Sequence, residues 1–291
     1  MSSLAPALPG LPGLLKELHL PAFREGYQSL AATAEKEQLP YAQYLLMLAE
    51  RECAERRQRK IERLLRQSRL PLEKTFRTFD LDRLSAVVQQ TVNHLLDGTF
   101  VERRENVLAF GNPGSGKTHL VCALGHHLAQ QRRPVYFTTC SLLVQELLAG
   151  KRDLKLARTL KKLSRYQAVV IDDIGYVQHD REEMEVLFTF LAERYERGSV
   201  LLTSNLPFSK WEQIFKDPMT TAAAIDRLVH HSVILELNLP SYRLEQAAKR
   251  KSRTEHTRPG DHQKSAGQDN CRRPKDNPQT QEKKTKDTAQ K

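Results

Sequence analysis

The chain has 291 residues, 39% of them hydrophobic and 28% charged, with a formal net charge of +11, enough for one large domain or two small ones around a real core. No apolar run approaches the roughly 18 residues of a membrane helix, the first residues lack the basic stretch of a secretion signal, and Cys53, Cys122, Cys140 and Cys271 have no paired spacing for zinc or a disulfide framework. These features predict a cytoplasmic protein, and the excess positive charge points to a polyanionic partner such as nucleic acid, although a basic tail alone would give the same total.

Residues 1–13 carry Pro6, Pro9, Pro12, Gly10 and Gly13 and read as a flexible leader. A short helix is expected over 14–20, a second helical stretch from Pro21 to the break at Pro40, and a long helix over 41–67. Leu45, Leu48, Ala49, Ile61, Leu64 and Leu65 form its apolar stripe. Arg51, Arg56, Arg57, Arg59, Lys60, Arg63, Arg66 and Arg69 crowd its second half. They fit either a solvated face laced with i,i+4 pairs or a surface that follows DNA phosphates. Pro71 stops the helix, and Phe76, Phe79 and Leu81 read as a hydrophobic hinge. A boundary near residue 75 would separate a helical N-terminal domain, 14–75, from a second domain, 76–250.

A helix over 84–96 leads to a short apolar strand over 106–110. The next eight residues are Gly111-Asn112-Pro113-Gly114-Ser115-Gly116-Lys117-Thr118, the spacing of a phosphate-binding P-loop. Its glycines let backbone N–H groups turn inward around a phosphate, and the following helix, 118–130, adds the partial positive charge of its N-terminus. Lys117 would neutralise the β- and γ-phosphates, and the Thr118 hydroxyl would ligate Mg²⁺. Leu120, Val121, Leu124 and Leu128 give that helix an apolar face. Strands at 134–138, 168–171, 199–203 and 233–237 then alternate with helices at 142–148, 154–163 and 182–197. The alternation predicts an α/β fold with a parallel five-stranded sheet between helices. Beyond about residue 251 large apolar side chains nearly vanish, and 251–291 reads as a disordered basic tail.

A P-loop enzyme needs a second carboxylate for the Mg²⁺ shell and a group that orients the attacking water. Asp172, at the end of an apolar strand, suits the first role and Asp173 the second. Asn205, in Thr203-Ser204-Asn205 at the end of the fourth strand, suits a γ-phosphate sensor. Arg227 sits on a short late helix from which a neighbouring subunit would present it as an arginine finger, and Arg243 follows the fifth strand. On physical grounds alone both arginines fit surface salt bridges equally well. His119, His126, His127, His230 and His231 have no metal-ligand spacing with carboxylates or cysteines and read as helix-surface or interface residues, and Trp211 as an anchor for the loop after the fourth strand.

Several of these segments together resemble the IstB-type transposition helper ATPases. They are Glu105-Asn106-Val107-Leu108 before the P-loop, Tyr195-Glu196-Arg197-Gly198-Ser199, Thr203-Ser204-Asn205-Leu206-Pro207-Phe208, Asp226-Arg227-Leu228, and in the helical part Glu50-Arg51-Glu52 and Arg69-Leu70-Pro71. The resemblance implies a P-loop NTPase of AAA+ type, close to the bacterial helicase loaders, with a small all-helical N-terminal domain and a reduced or absent lid. It implies ATP and Mg²⁺ as ligands, Gly111 to Thr118 and Arg243 as nucleotide contacts, Arg227 as a finger acting on a neighbour, and Arg243 as a second sensor. It further implies a homo-oligomer assembled on duplex DNA that bends the target and stimulates an IstA-type transposase. One departure is the pair Asp172-Asp173, where the family often has Asp-Glu; the shorter side chain implies slower hydrolysis. A replicative helicase loader of the same class and a nucleotide-binding module that hardly turns over are the competing functions.

Overall fold

The structure, a computed structural model, describes residues 10–175, 180–215, 217–242, 244 and 245. Arg243, the expected tail at 251–291 and the stretch where a lid would follow lie outside the described residues.

The N-terminal part is helical, with α1 (Leu11–Glu17), α2 (Pro21–Lys36) and α3 (Tyr41–Ser68). α1 starts ahead of the expected helix because Pro12 occupies its first turn, where a missing N–H costs nothing. The long helix ends on Arg69 in a left-handed conformation, two residues before Pro71. After a 3-10 turn at Leu81–Arg83 come α4 (Ala86–Leu95), capped by Ser85, and the short α5 (Thr99–Glu102). Strands and helices then alternate as β1 (Asn106–Gly111), α6 (Lys117–Gln130), β2 (Val135–Thr139), α7 (Cys140–Arg152), α8 (Leu156–Leu163), β3 (Ala168–Ile174), α9 (Arg181–Arg194) and β4 (Ser199–Ser204). A 3-10 turn at Phe208–Lys210, α10 (Glu212–Phe215), α11 (Pro218–Val229) and β5 (Ser232–Leu237) follow. Asp180 and Glu183 close a reciprocal capping box at the start of α9.

The five strands are all parallel, in the order β2-β3-β4-β1-β5. Period-two alternation sends Leu108, Ile171 and Leu202 to one face, against Leu143, Leu187, Phe190 and Leu228. Val107, Val170 and Leu201 point to the other face, against Leu120, Val121, Leu124 and Leu128. β1 lies between β4 and the edge strand β5, so the loop that follows it emerges at the C-terminal ends of the parallel strands, where open α/β sheets bind ligands.

Arg194 is almost fully buried and ties the opposite edge together. Its guanidinium donates to the carbonyls of Tyr166 at 2.7 Å, Gln167 at 2.9 Å and Ser199 at 2.9 Å. Burial pulls its pKa down to about 10, which still leaves it charged at neutral pH. At Gly198 a Cβ would stand 2.4 Å from the same guanidinium.

The expected apolar stripe of α3 is narrower in the structure. Leu48 and Leu64 are buried, Ala49, Ile61 and Leu65 are half-buried, and Leu45 is exposed. Two polar residues, Glu52 and Ser68, hold buried positions instead. α2 has no side-chain cap of its own. Glu52 supplies it from α3, accepting from the backbone N–H of Ala22 at 2.8 Å and Phe23 at 3.4 Å while Arg56 Nε donates to its other oxygen at 2.7 Å. Burial alone would raise the Glu52 pKa, but the Arg56 hydrogen bond and the two amides outweigh it and hold the carboxyl below the usual glutamate range. Because the folded-state pKa is depressed, the stabilisation is present in full above the unfolded value, about 4.3, and is lost as pH falls through the lower folded one. Glu52→Ala should therefore cost about 2 kcal/mol in urea unfolding at pH 7, and the difference from wild type should shrink below about pH 4. A difference independent of pH would mean that Glu52 acts through packing alone.

Candidate nucleotide site

The P-loop joins β1 to α6. Gly111, Gly114 and Gly116 all have positive φ, at 147°, 81° and 98°. Close approach adds to the requirement at two of them: a Cβ on Gly111 would lie 2.2 Å from the Leu237 carbonyl oxygen, and one on Gly114 would lie 2.1 Å from Ser241 Oγ. The loop thus folds against β5 and the segment after it, and the Tyr242 N–H donates to the Gly114 carbonyl at 3.1 Å. Lys117 is buried, and its ammonium donates to the carbonyls of Gly111 and Asn112, each at 2.8 Å. Among the described residues, Ser115 Oγ is buried with no hydrogen-bond partner. A polar atom orphaned inside a loop of left-handed glycines, with a helix N-terminus behind it, is what a bound phosphate would satisfy.

The two strand-end aspartates have different surroundings. Asp172 is buried, and its Oδ1 accepts from Thr203 Oγ at 2.7 Å; the same hydroxyl accepts from the Asp173 N–H at 2.8 Å. Thr203 therefore couples the end of β3 to the end of β4. The β3–β4 register shifts between Ile171 and Ile174, and Asp173 takes a left-handed φ of 59°. The bulge turns Asp173 out of the ladder and into the cavity over the P-loop. Asn205, just past β4, lines the same cavity. Ser204 Oγ fixes that strand end by donating to Ile174 O and Leu206 O and accepting from Leu206 N. Trp211 is fully buried, donates Nε1–H to Leu206 O at 3.2 Å, and packs on Phe110 and Phe208, so it anchors the loop as its composition suggests.

The cavity holds about 510 Å³, within the usual range for a small-molecule site. One wall comes from residues that sequence reading treats as a hinge. Lys74, Thr78, Phe79, Asp80 and Arg83 face Gly114 to His119 across it, and Leu239 and Tyr242 close the side. Arg83 binds Glu245 at 2.8 Å and stacks 5.0 Å from the Tyr242 ring centre, which clasps the hinge to the segment after β5. No periodic pattern marks residues 71–85, and only the mixture of aromatic and charged residues ahead of Ser85 hints at a wall.

Two histidines of α6 hold this hinge, and a third holds the end of α4. His119 Nε2 lies 3.1 Å from Thr75 O, His126 Nε2 is 2.9 Å from Pro71 O, and His127 Nε2 is 2.9 Å from Leu96 O. Burial lowers the His119 pKa, so the neutral ring donates to its carbonyl.

The structure therefore brings Pro113 to Thr118, Asp173 and Asn205 to one cavity, with Gly111 and Asn112 holding the Lys117 ammonium beside it and Asp172 buried at the end of β3. It does not bring Arg227 there. Asn106, at the start of β1, donates Nδ2–H to Leu228 O at 2.9 Å and accepts from Val200 N at 2.8 Å. Arg227 is thus at the end of β1 opposite the P-loop, roughly 16 Å away along the strand. Its guanidinium lies 4.6 Å from the Phe188 ring centre and donates to Ala223 O at 2.9 Å. Among the described residues no helix is long and apolar enough to cross a membrane.

Comparison with known proteins agrees with this layout. The chain is 39% identical over 239 residues to an insertion-sequence ATP-binding protein of Sinorhizobium fredii, spanning 82% of this chain and 80% of the relative. It is 37% identical over 246 residues to one named for insertion sequence IS21 in Pseudomonas aeruginosa, spanning 84% and 93%. Among solved structures, AMPPCP-bound DnaA of Aquifex aeolicus superposes with a TM-score of 0.50 at 15% identity, over 64% of this chain and 56% of that one, which is a likeness of AAA+ fold. The sequence pattern of the IstB-like ATP-binding proteins runs through residues 13–251, taking in the helical part, the P-loop and all five strands, and the chain belongs to that family.

Proposed function

We propose that the protein is an ATP-hydrolysing transposition helper that assembles on duplex DNA, remodels it and stimulates an IstA-type transposase, with hydrolysis as the switch. The observation that carries the assembly step is the distance between Arg227 and the P-loop of the same chain, since a finger on the far end of β1 serves a neighbour's nucleotide. Lys117 and the loop amides hold the β- and γ-phosphates in this reading, and Arg243 contacts the same nucleotide. Thr118 and Asp172 hold Mg²⁺, which neutralises phosphate charge when bound. Asp173 orients the attacking water, and Asn205 contacts the γ-phosphate.

In this reading residues 14–75 form the partner- and DNA-contacting domain and 76–250 the ATPase domain. Exposed charge on α3 supports the DNA part. Arg51, Arg56 and Arg59 pair with Glu52 and Glu55, but among the described residues no ion pair engages Arg57, Lys60, Arg63 or Arg66, all exposed. The reading of a face laced with i,i+4 pairs holds for Arg51, Arg56 and Arg59, and the second group suits phosphate contacts whose affinity would fall with salt.

Electron microscopy and sedimentation of the full chain with duplex DNA should give large assemblies with ATP and Mg²⁺ and small species without nucleotide. A monomer under both conditions would overturn the proposal. Capture of a hexameric helicase and not of the transposase from the same element would reassign the protein as a helicase loader.

A further inference from the structure

We infer that Glu196, His230 and His231 form a binding site for a divalent transition-metal ion of the Zn²⁺ class, at the edge of the sheet opposite the nucleotide. Each residue offers one ligand atom, and the three atoms lie within 4.8 Å of one another. They belong to two segments far apart in sequence, which the order β4-β1-β5 makes neighbours: Glu196 precedes β4, and His230 and His231 lead into β5.

The backbone under the ligands is fixed. Asn106 N donates to His231 O at 2.7 Å, and His230 N donates to Asp226 O at 2.9 Å. Arg104 donates to the Glu196 carbonyl, and Glu196 itself has a left-handed φ of 54°. The side chains are exposed, so small rotations suffice to reach Zn–N and Zn–O bonds of about 2.0–2.1 Å.

An outer partner is also in place. Tyr195 Oη lies 3.1 Å from His230 Nδ1. When Nδ1–H donates to that oxygen, the Nε2 lone pair is left for a metal, the usual way in which a second group sets the tautomer of a ligating histidine. The two ring centres of His230 and His231 are 4.1 Å apart. Two imidazoles and one carboxylate favour Zn²⁺, Co²⁺ or Ni²⁺ over Mg²⁺ or Ca²⁺. The nearby cations Arg104 and Arg227, which share a small cavity with Glu196 and His231, further disfavour a hard cation held by charge alone. Three protein ligands leave a coordination position for water or a fourth donor. The assignment of this site does not rest on the proposed role of Arg227.

The test uses the full chain, purified without a histidine tag and stripped with a chelator, titrated with Co²⁺ and then Zn²⁺ in the absence of nucleotide. One Co²⁺ per chain should bind with visible ligand-field bands and no thiolate charge-transfer band, and Zn²⁺ should displace it. The double variant His230→Gln/His231→Gln should lose that equivalent while keeping its far-ultraviolet circular dichroism. Tyr195→Phe should keep the stoichiometry and weaken binding about tenfold. An unchanged equivalent in the double variant, a thiolate band, or no Co²⁺ bound by the wild-type chain would each overturn the site.

Discussion

Arg227→Ala is expected to lower DNA-stimulated ATP hydrolysis by about 10³-fold or more, the usual loss when an arginine finger is removed, while leaving ATP affinity of the unassembled chain unchanged. The two halves of the expectation have separate structural causes. The guanidinium rests on Phe188 and the Ala223 carbonyl, so its loss costs its own chain a cation–π contact and one hydrogen bond, about 1–2 kcal/mol together. It is absent from the cavity that Lys117, Asp173 and Asn205 line, so binding within one chain has no use for it. A mixing experiment isolates the action between subunits. Chains carrying Arg227→Ala keep a whole P-loop, and chains carrying Lys117→Ala keep the finger. Mixed assemblies should recover activity that neither variant has alone. Hydrolysis by Arg227→Ala at the wild-type, DNA-stimulated rate would remove the finger from the mechanism.

Lys117→Ala should abolish the nucleotide-dependent rise in melting temperature and reduce hydrolysis by about 10²–10³-fold, the range for deleting a donor aimed at developing negative charge. The ammonium bridges the Gly111 and Asn112 carbonyls from inside the loop, so it holds the cradle's shape as well as facing a phosphate. The substitution is therefore also expected to destabilise the nucleotide-free chain by about 1–2 kcal/mol. Differential scanning calorimetry with and without Mg²⁺ and ATP separates the two effects. A variant that retains the full nucleotide-induced shift would exclude Lys117 as a phosphate contact.

Element types along the sheet domain were legible because their patterns are local. The apolar run Ala168-Val169-Val170-Ile171 is written over a few residues, and β3 formed where it stood, whereas α9 ends at Arg194, three residues ahead of the expected end at 197. Boundaries moved by a few residues where capping or a bulge intervened. β3 continues to Ile174 because the register shift lets both aspartates stay within the strand. The P-loop was legible for the same reason, since its glycines answer a requirement of the backbone itself.

The cavity wall from Lys74 to Arg83 was not legible, nor was the reason for a buried Glu52. Both depend on partners distant in the chain. Glu52 completes a helix end 30 residues earlier, and the hinge becomes a wall only when His119 and His126 fasten it to α6. The sequence placed His119, His126 and His127 at a helix surface or an interface, and the structure decides for the interface, with carbonyls of the hinge and of the end of α4 taking their ring nitrogens.

By itself the sequence determined that a phosphate cradle follows a buried strand, that the sheet is parallel, and which aspartates stand at a strand end, because backbone sterics and side-chain periodicity act over short distances. Only the tertiary structure decided that Thr203 couples Asp172 to the backbone of Asp173, that Arg227 stands at the far end of β1, and that Glu196 meets His230 and His231. The order of strands across a sheet, which sets all three, arises from packing between segments that no local pattern records.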